Sequence, residues 1–362
     1  MRFLFAARTA AVGLVSFLLA VAAVAQTPQT TQTTPRKPLP FTGVNLAVAE
    51  FGQKKPGIPL VYGKDYTYPH ENEVNYFASK GMNVFRIPFH WAALQATPRG
   101  ELVPEELARL RSSVEMITRK GLVAILDPHN YARYEGKIIG SAEFPAENFA
   151  FFWERVAGEF KDNPHVWFGL MNEPHDMPTQ QWLDAANTAI AAIRRTGAKN
   201  LILVPGNHWT GAHSWVSSDN DDLMLKIQDP ANRYLYEVHQ YLDADSSGTK
   251  PQVVSPTIGA DRLRTFTDWC RKNKKRAFLG EFGVAASEEG RVAIENMLTA
   301  MERDRDVWVG FTWWAAGPWW GDYMFSIEPK DLQDRPQMRY LLPHLQPVNL
   351  APAPRPTDPK LP

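Results

Sequence analysis

The 362-residue sequence predicts a (β/α)8 barrel, a single-domain α/β fold in which eight parallel strands alternate with helices. Two stretches carry this prediction most clearly. An apolar run that begins at Val166 ends on Glu173 directly before Pro174, and a second apolar run extends from Ala277 to Glu281. Proline ends the first run because it lacks the N–H that a central strand must donate. Buried parallel strands with polar residues at their carboxyl ends are typical of such barrels.

Strand-like and helix-like segments alternate along the central part of the chain. Pro104 at a first helical position and Gly121 directly after the same segment are ordinary helix start and stop signals. Eight alternations favour a closed barrel over an open doubly wound sheet. The open sheet would want a glycine-rich turn after the first strand, and residues 43–45 do not form one. The strand-like runs are 41–48, 82–89, 122–127, the run with Glu173, 201–205, 234–239, the run with Glu281 and 307–314; the helical segments are 71–80, 104–120, 146–161, 179–196, 261–273, 288–303 and 333–342.

The two ends of the chain differ in composition from this central part. An apolar run over 10–24 follows early arginines, and Ala23 and Ala25 match the small-residue rule for signal cleavage. An uncleaved membrane anchor is the alternative, although the run is short for a span. We therefore expect a secreted protein, in the periplasm or the medium, after cleavage near Ala25. The predicted segments are a signal peptide over 1–25, a Pro/Thr-rich linker over 26–40, the catalytic barrel over 41–346 and a Pro-rich tail over 347–362.

Composition and charge narrow the classes of function. Lys and Arg number 39, as do Asp and Glu, so the formal net charge is zero. Nothing therefore favours nucleic acid or an anionic membrane as a partner. Cys270 is the only cysteine, so an exported chain has no internal disulfide, and we expect this thiol to be inert packing in a helix. We expect a monomer that needs no cofactor and no metal.

Polar residues gather at the predicted carboxyl ends of the strands, where a barrel forms its active face. Arg86 lies inside an apolar run, where its charge is costly unless it meets a carboxylate. Glycoside hydrolysis needs two carboxylates, and Glu173 and Glu281 could flank one glycosidic bond. Twelve tryptophans could stack on sugar rings as well as fill the core. The other polar or aromatic strand ends are Asp127, His129 with Asn130, Asn172, His208 with Trp209, His239 with Tyr241, and Trp313 with Trp314.

Five motifs in this order resemble glycoside hydrolase family 5. They are Phe85-Arg86-Ile87-Pro88, His129-Asn130, Asn172-Glu173-Pro174, His239-Gln240-Tyr241 and Gly280-Glu281-Phe282-Gly283. The run 312–323 is similar to that of the family's fungal-type endo-β-1,4-glucanases, which also occur in bacteria. The resemblance covers about 41–346 and implies a barrel enzyme whose partner is a β-glucan polysaccharide.

The resemblance also implies roles for individual residues. Glu173 would be the general acid and then the base, and Glu281 the nucleophile that forms a glycosyl-enzyme. The negative charge of Glu281 would favour the protonated form of Glu173. Arg86 and Tyr241 would hydrogen-bond Glu281 and keep it ionised. Asn172 would bind the sugar 2-hydroxyl.

The remaining predicted residues would line the cleft. His129, with Asn130 beside it, and His239 would border the subsite at the cleavage point. Trp314, rather than its neighbour Trp313 on the opposite strand face, would be the platform under the sugar ring. Four further aromatic residues would either extend the cleft as sugar platforms or pack in loops: Trp209, Trp319, Trp320 and Tyr323.

Three other functions compete with a β-1,4-glucanase. A metal-dependent barrel hydrolase would want clustered ligands after the first strand, and Gly43-Val44-Asn45-Leu46 offers none. A non-catalytic polysaccharide-binding protein would be expected to have lost one of the two glutamates. An enzyme with the same mechanism on mannan, xyloglucan or mixed-linkage glucan stays open, because these differ in cleft loops rather than in the glutamates.

Overall fold

Eight parallel strands close into a barrel in their order along the chain, as predicted. The computed structural model describes residues 37–52, 59–331 and 333–347. Each strand pairs with the next, and the last pairs with the first, so the barrel has no free edge. The strands are β1 (Phe41–Leu46), β2 (Val84–Phe89), β3 (Val123–Pro128), β4 (Val166–Gly169), β5 (Ile202–Pro205), β6 (Tyr234–His239), β7 (Ala277–Glu281) and β8 (Trp308–Ala316).

Helices between the strands cover the outside of the barrel. Their buried residues recur with the helical period, as in Leu183, Ala186, Ile190 and Ile193. One helix starts where Ser287 Oγ accepts a hydrogen bond from the Gly290 N–H at 2.9 Å. The helices are Glu71–Ser79, Trp91–Leu94, Pro104–Thr118, Ala146–Phe160, Thr179–Arg195, Asn220–Leu223, Ile258–Lys272, Glu288–Arg303 and Met338–Leu341, with short 3-10 turns at His208–Thr210, Met224–Lys226 and Leu342–His344. A two-stranded hairpin, Arg133–Tyr134 and Lys137–Ile138, follows β3.

Two predicted elements are shorter than expected. The fourth strand ends at Gly169, and the chain then turns, so Asn172 and Glu173 lie in the connection that follows the strand. Glu173 has φ of +41°, a left-handed conformation outside the extended region of a regular strand. The helix predicted over 333–342 is one turn, Met338–Leu341, because Pro336 before it and Pro343 after it lack N–H donors.

The two ends of the barrel interior differ in polarity. Apolar side chains from the starts of the strands fill the lower part, where Phe41 and Trp167 meet edge to face at 4.6 Å. Alternation along a strand then brings polar residues to the upper part, as on β6, where Leu235 is followed by Glu237 and His239. The polar upper end is the rim at which the predicted site residues meet.

The predicted ends of the chain lie outside the described residues. Residues 1–36 and 348–362 include the predicted signal peptide, most of the predicted linker and nearly all of the predicted tail. Cys270 is a free, fully buried thiol in the helix Ile258–Lys272. Within 37–52, 59–331 and 333–347, no helix has both the length and the apolar character that crossing a membrane requires.

Candidate active site

Arg86 is the centre of the polar network at the carboxyl ends of the strands. Its side chain is fully buried on β2. Nη1 donates to Glu281 Oε1 at 2.8 Å and to Asn45 Oδ1 at 2.9 Å, and Nη2 donates to Asn172 Oδ1 at 2.8 Å. Burial alone would lower the pKa of the guanidinium, but the surrounding carboxylates outweigh it and raise this pKa. Arg86 is therefore a permanent buried cation on which the other side chains are oriented.

Glu281 is the last residue of β7 and receives two hydrogen bonds. Besides Arg86, the Tyr241 hydroxyl donates to Oε2 at 2.8 Å. Burial and the nearby negative charge raise the pKa of Tyr241, so its hydroxyl stays a donor. Burial also raises the pKa of Glu281, while the charges of His239 and Arg86 act against that rise. The carboxylate is thus aimed by fixed donors and is almost fully buried.

Glu173 reaches the same site from the connection after β4. His239 Nδ1–H donates to its Oε1 at 2.6 Å. Glu173 is less buried than Glu281, with side-chain exposures of 14% and 5%. One carboxylate oxygen of each glutamate and a ring nitrogen of His239 all lie within 4.8 Å of one another. The separation of the two carboxyls is therefore too short for a water molecule to lie between a bound sugar and the second carboxylate.

His129 and Asn172 form a chain of hydrogen bonds that settles their orientation. Burial lowers the pKa of His129 to about 3, so its ring is neutral. Nδ1–H donates to Asp127 Oδ2 at 2.8 Å, and Nε2 accepts from Asn172 Nδ2 at 3.1 Å. Asn172 Oδ1 is held by Arg86, so the second N–H of the Asn172 amide remains available.

Trp314 and Trp313 face opposite sides of β8. Trp313 is fully buried, and its Nε1 donates to the Phe325 carbonyl at 2.8 Å. Trp314 lines the cavity and lies nearly parallel to the His129 ring, with centroids 5.3 Å apart. Trp320 meets Trp314 edge to face at 5.7 Å. The geometry therefore offers the face of Trp314, not that of Trp313, to a ligand.

Trp209 also lines the cavity and lies on an unusual turn. Its indole is 49% exposed and stacks on the His175 ring at 3.5 Å. Trp209 and its two neighbours, His208 and Thr210, all have positive φ, at 58°, 56° and 48°. A left-handed conformation costs roughly 1–2 kcal/mol per residue. Hydrogen bonds hold the turn, including Trp209 N–H to the Pro174 carbonyl at 3.0 Å.

Not every predicted residue lies in the cavity. Asn130 does not line it, because its Oδ1 accepts from the Trp91 N–H at 2.8 Å and so caps a short helix. Trp319 is 39% exposed outside the cavity. Trp320 also lies outside its lining, since the Nε1 donates to the Ala47 carbonyl at 2.7 Å. These three predicted residues therefore lie outside the lining of this cavity.

The cavity itself has a volume of about 650 Å³. Both glutamates, His129, His239 and four aromatic side chains of the predicted site line it, together with a polar loop over 245–249. The combination of flat aromatic faces with hydroxyl, amide and carboxylate groups suits a sugar. The predicted residues in the lining are His129, Glu173, Trp209, His239, Tyr241, Glu281, Trp314 and Tyr323.

Sequence reasoning missed two members of the network. Asn45 on β1 donates from Nδ2 to the Gly280 carbonyl at 2.9 Å, besides accepting from Arg86. Glu237 on β6 is buried, with Oε1 at 3.1 Å from Arg86 Nε. A signal for Glu237 was available, because strand alternation places it on the same face as His239. A carboxylate at this position offsets the free-energy cost of burying the Arg86 charge.

Glu173, His239 and Glu281 are also side-chain types that can bind a metal. Burial would lower the pKa of His239, but Glu281, Glu173 and Glu237 outweigh it and raise that pKa to about 10. An imidazolium has no free lone pair to offer a metal. The three side chains are moreover hydrogen-bonded to each other or to Arg86 and Tyr241. The arrangement fits proton transfer better than metal binding.

Comparison with known proteins shows the family of this chain. The model of the family described as cellulase, glycosyl hydrolase family 5, matches residues 40–317. Endo-beta-1,4-glucanase B of Aspergillus niger is 44% identical over 290 residues, 80% of this chain and 85% of that protein. The crystal structure of an endo-beta-1,4-glucanase from Xanthomonas axonopodis pv. citri is 48% identical, with a TM-score of 0.82, over 84% of this chain and 98% of that one. Pseudomonas stutzeri endoglucanase Cel5A, solved with cellobiose, is 35% identical with a TM-score of 0.78, over 88% of this chain and 95% of that one.

A (β/α)8 barrel that brings two glutamates together at its carboxyl end is the scaffold of a glycoside hydrolase. With a family match over most of its length and relatives above 40% identity, the chain belongs to glycosyl hydrolase family 5, the cellulase family. The family resemblance seen in the sequence motifs is thereby confirmed, and with it the class of enzyme.

Proposed function

We propose that this enzyme is a retaining endo-β-1,4-glucanase in which Glu173 is the acid/base and Glu281 the nucleophile. The observation that carries the mechanism is the spacing of the two carboxyls, with one oxygen of each inside 4.8 Å. An inverting site separates its carboxyls by roughly 6.5–9.5 Å to admit a water molecule, whereas a retaining site needs about 5–5.5 Å. The short spacing supports direct attack by Glu281 on the sugar.

The surroundings of each glutamate support its role. Arg86 and Tyr241 donate to both oxygens of Glu281, which aims the carboxylate at one point in the cavity. Glu173 is the more accessible of the two, as a group that meets first the leaving oxygen and then water must be. In the first step the Glu173 proton passes to the glycosidic oxygen while Glu281 bonds to the anomeric carbon. In the second, Glu173 takes a proton from water, which displaces Glu281.

The substrate proposal comes from the cavity walls and the relatives. Trp314, stacked beside His129, and the half-exposed Trp209 both offer flat aromatic faces in the cavity that the two glutamates line. Asn172 has an N–H available for a sugar 2-hydroxyl. The relatives named above are endoglucanases, and one solved relative at 48% identity is a complex with cellopentaose. A β-1,4-glucan is therefore the proposed polymer.

A panel of polysaccharides tests this proposal. We expect carboxymethylcellulose to lose viscosity quickly relative to the reducing ends released, because internal cuts shorten the chain fastest. Mannan, xyloglucan and mixed-linkage glucan are the comparison substrates, and EDTA should leave every rate unchanged. Cleavage of mannan alone would contradict the glucanase proposal while leaving the family assignment intact. A rate lost to EDTA and restored by a divalent metal would contradict the carboxylate mechanism.

We also propose that the protein is exported, acts as a monomer and begins near Gln26 after signal cleavage. The composition of residues 1–25 supports export. N-terminal sequencing of the protein recovered outside the cytoplasm should read from about Gln26. Exported protein that still starts at Met1 would disprove cleavage, and a dimer mass in light scattering would disprove the monomer.

A further inference from the structure

Glu237 is a buried carboxylate that the proposed mechanism does not use. It lies on β6, is 1% exposed, and has Arg86 Nε at 3.1 Å and His239 Nε2 at 3.7 Å from its Oε1. The first distance is that of an ion pair, and the second is an electrostatic contact longer than a hydrogen bond. Glu237 thus lies between the side chains of Arg86 and His239.

The neighbouring strand is shaped to admit this carboxylate. A Cβ on Gly280 would lie 2.2 Å from Glu237 Oε1 and 2.9 Å from its carboxyl carbon. Both distances are shorter than non-bonded atoms allow. Gly280 directly precedes the proposed nucleophile on β7. The missing side chain at Gly280 therefore leaves the space that the Glu237 carboxylate occupies.

The charges around Glu237 and His239 come from every strand end that faces them. Arg86 forms ion pairs with three of the four carboxyl groups in this cluster, and the fourth, Glu173, contacts His239 instead. A proton on His239 therefore adds a second positive charge that this cluster of carboxyl groups otherwise lacks. The facing groups are Arg86 on β2, Asp127 on β3, His129 directly after it, Glu173 after β4 and Glu281 on β7.

We propose that Glu237 is a positioning residue for the acid/base step. It holds the His239 ring in place and positively charged, so that His239 Nδ1–H always donates to Glu173. A cationic His239 donates to Glu173 Oε1. The acidic proton of Glu173 must then lie on Oε2, the oxygen free to meet the leaving group. A neutral His239 could instead accept that proton at Nδ1 and withhold it from the substrate.

The raised pKa of His239 agrees with this geometry, since Glu237 is one of the carboxylates that raise it. The sign of its effect follows directly. Removing the negative charge of Glu237 lowers the pKa of His239, so His239 loses its proton at a lower pH. The basic limb of the pH–rate profile should then move to lower pH. The inference rests on the proposed role of Glu173, whereas the charge of His239 can be measured independently of catalysis.

The test compares the wild type with Glu237→Gln and Glu237→Asp. We expect the basic limb of kcat/KM to fall by about one pH unit or more in Glu237→Gln, as for loss of an opposite charge within 4–6 Å. Glu237→Asp keeps the charge and should keep the limb near its wild-type position, even if kcat falls. Glu302→Gln is a matched control, because Glu302 is a half-buried carboxylate 2.9 Å from the His344 ring, near the C-terminal end of the helix Glu288–Arg303 and outside the cavity lining. Its profile should not move.

Nitrogen NMR of the labelled enzyme reads the charge directly. The His239 signals, assigned among nine histidines by their loss in His239→Asn, should show both ring nitrogens protonated at pH 7 in the wild type. In Glu237→Gln the ring should titrate at lower pH. A neutral His239 in the wild type at pH 7 would overturn the proposal even if the variant fails to fold. So would a Glu237→Gln variant that is slower with an unchanged limb and unchanged His239 titration. A shifted His239 titration with an unshifted rate profile would also overturn the proposal, because the basic limb would then not depend on the charge of His239. The acid/base role of Glu173 is tested separately, by the leaving-group dependence of Glu173→Gln.

Discussion

Glu281→Gln should reduce activity by several orders of magnitude on every substrate, including those with activated leaving groups. Glutamine keeps the size of the side chain and an oxygen that can accept from Arg86, but its amide cannot form a glycosyl-enzyme. The measurement is kcat on carboxymethylcellulose and on a dinitrophenyl cellobioside. Because the first chemical step is lost, leaving-group quality should not restore the rate.

Added azide distinguishes the loss of the nucleophile from a general distortion of the site. In Glu281→Gln, azide could at most take the vacated position and attack the sugar itself, which gives an α-glycosyl azide. Tyr241→Phe is a graded comparison, since it removes only the 2.8 Å hydrogen bond to Oε2 and should cost much less than the loss of the nucleophile. A Glu281→Gln enzyme that keeps a substantial fraction of the wild-type rate would show that Glu281 is not the nucleophile. A product of inverted configuration from the wild type would show that the enzyme is not retaining.

Glu173→Gln should separate substrates by their leaving groups. On cellulose the loss of general acid catalysis should cost about 10²–10⁴-fold. A dinitrophenyl cellobioside needs little protonic help, so its glycosyl-enzyme should still form and then accumulate for want of a base. Glutamine can keep the 2.6 Å contact to His239 through its amide oxygen, so the site should stay assembled.

Azide should rescue turnover of this variant, because the anion attacks the glycosyl-enzyme without base assistance. The expected product is a β-glycosyl azide, opposite in stereochemistry to that expected from Glu281→Gln. A burst of dinitrophenolate in stopped-flow, followed by a slow steady state that azide accelerates, is the kinetic readout. Equal insensitivity of both variants to azide and to leaving group would overturn the assignment of Glu173 as acid/base and Glu281 as nucleophile.

The fold was predictable because its signals are local and repeated. The helix Glu288–Arg303 occurs at the predicted residues, and the strand Tyr234–His239 does as well. The errors fall where a tertiary contact overrides the local pattern. The apolar residues Leu170 and Met171 continue the run of β4, yet the strand ends at Gly169. Beyond it, Leu170 N–H bonds the Leu203 carbonyl at 3.0 Å and Asn172 N–H bonds the Pro128 carbonyl at 3.1 Å. Hydrophobicity alone cannot distinguish a strand from a buried turn.

The site was predictable to the extent that its residues occur at strand ends in recognisable motifs. Asn130 shows the limit of that reasoning, because its neighbour His129 lines the cavity while its own side chain caps a helix. Adjacent residues in a motif can point to different sides of the chain, and only their partners decide which one meets a ligand.

The sequence by itself determined the barrel, the order of its strands and the two glutamates at its carboxyl end, because hydrophobic period and strand-end polarity depend on neighbouring residues alone. Only the tertiary structure decided that Trp314 faces the cavity, that Glu237 lies between Arg86 and His239, and that Gly280 leaves it space. These contacts join residues that are between 2 and about 150 positions apart. The distances and charges that set the protonation of a buried group arise only when closure of the barrel brings such residues together.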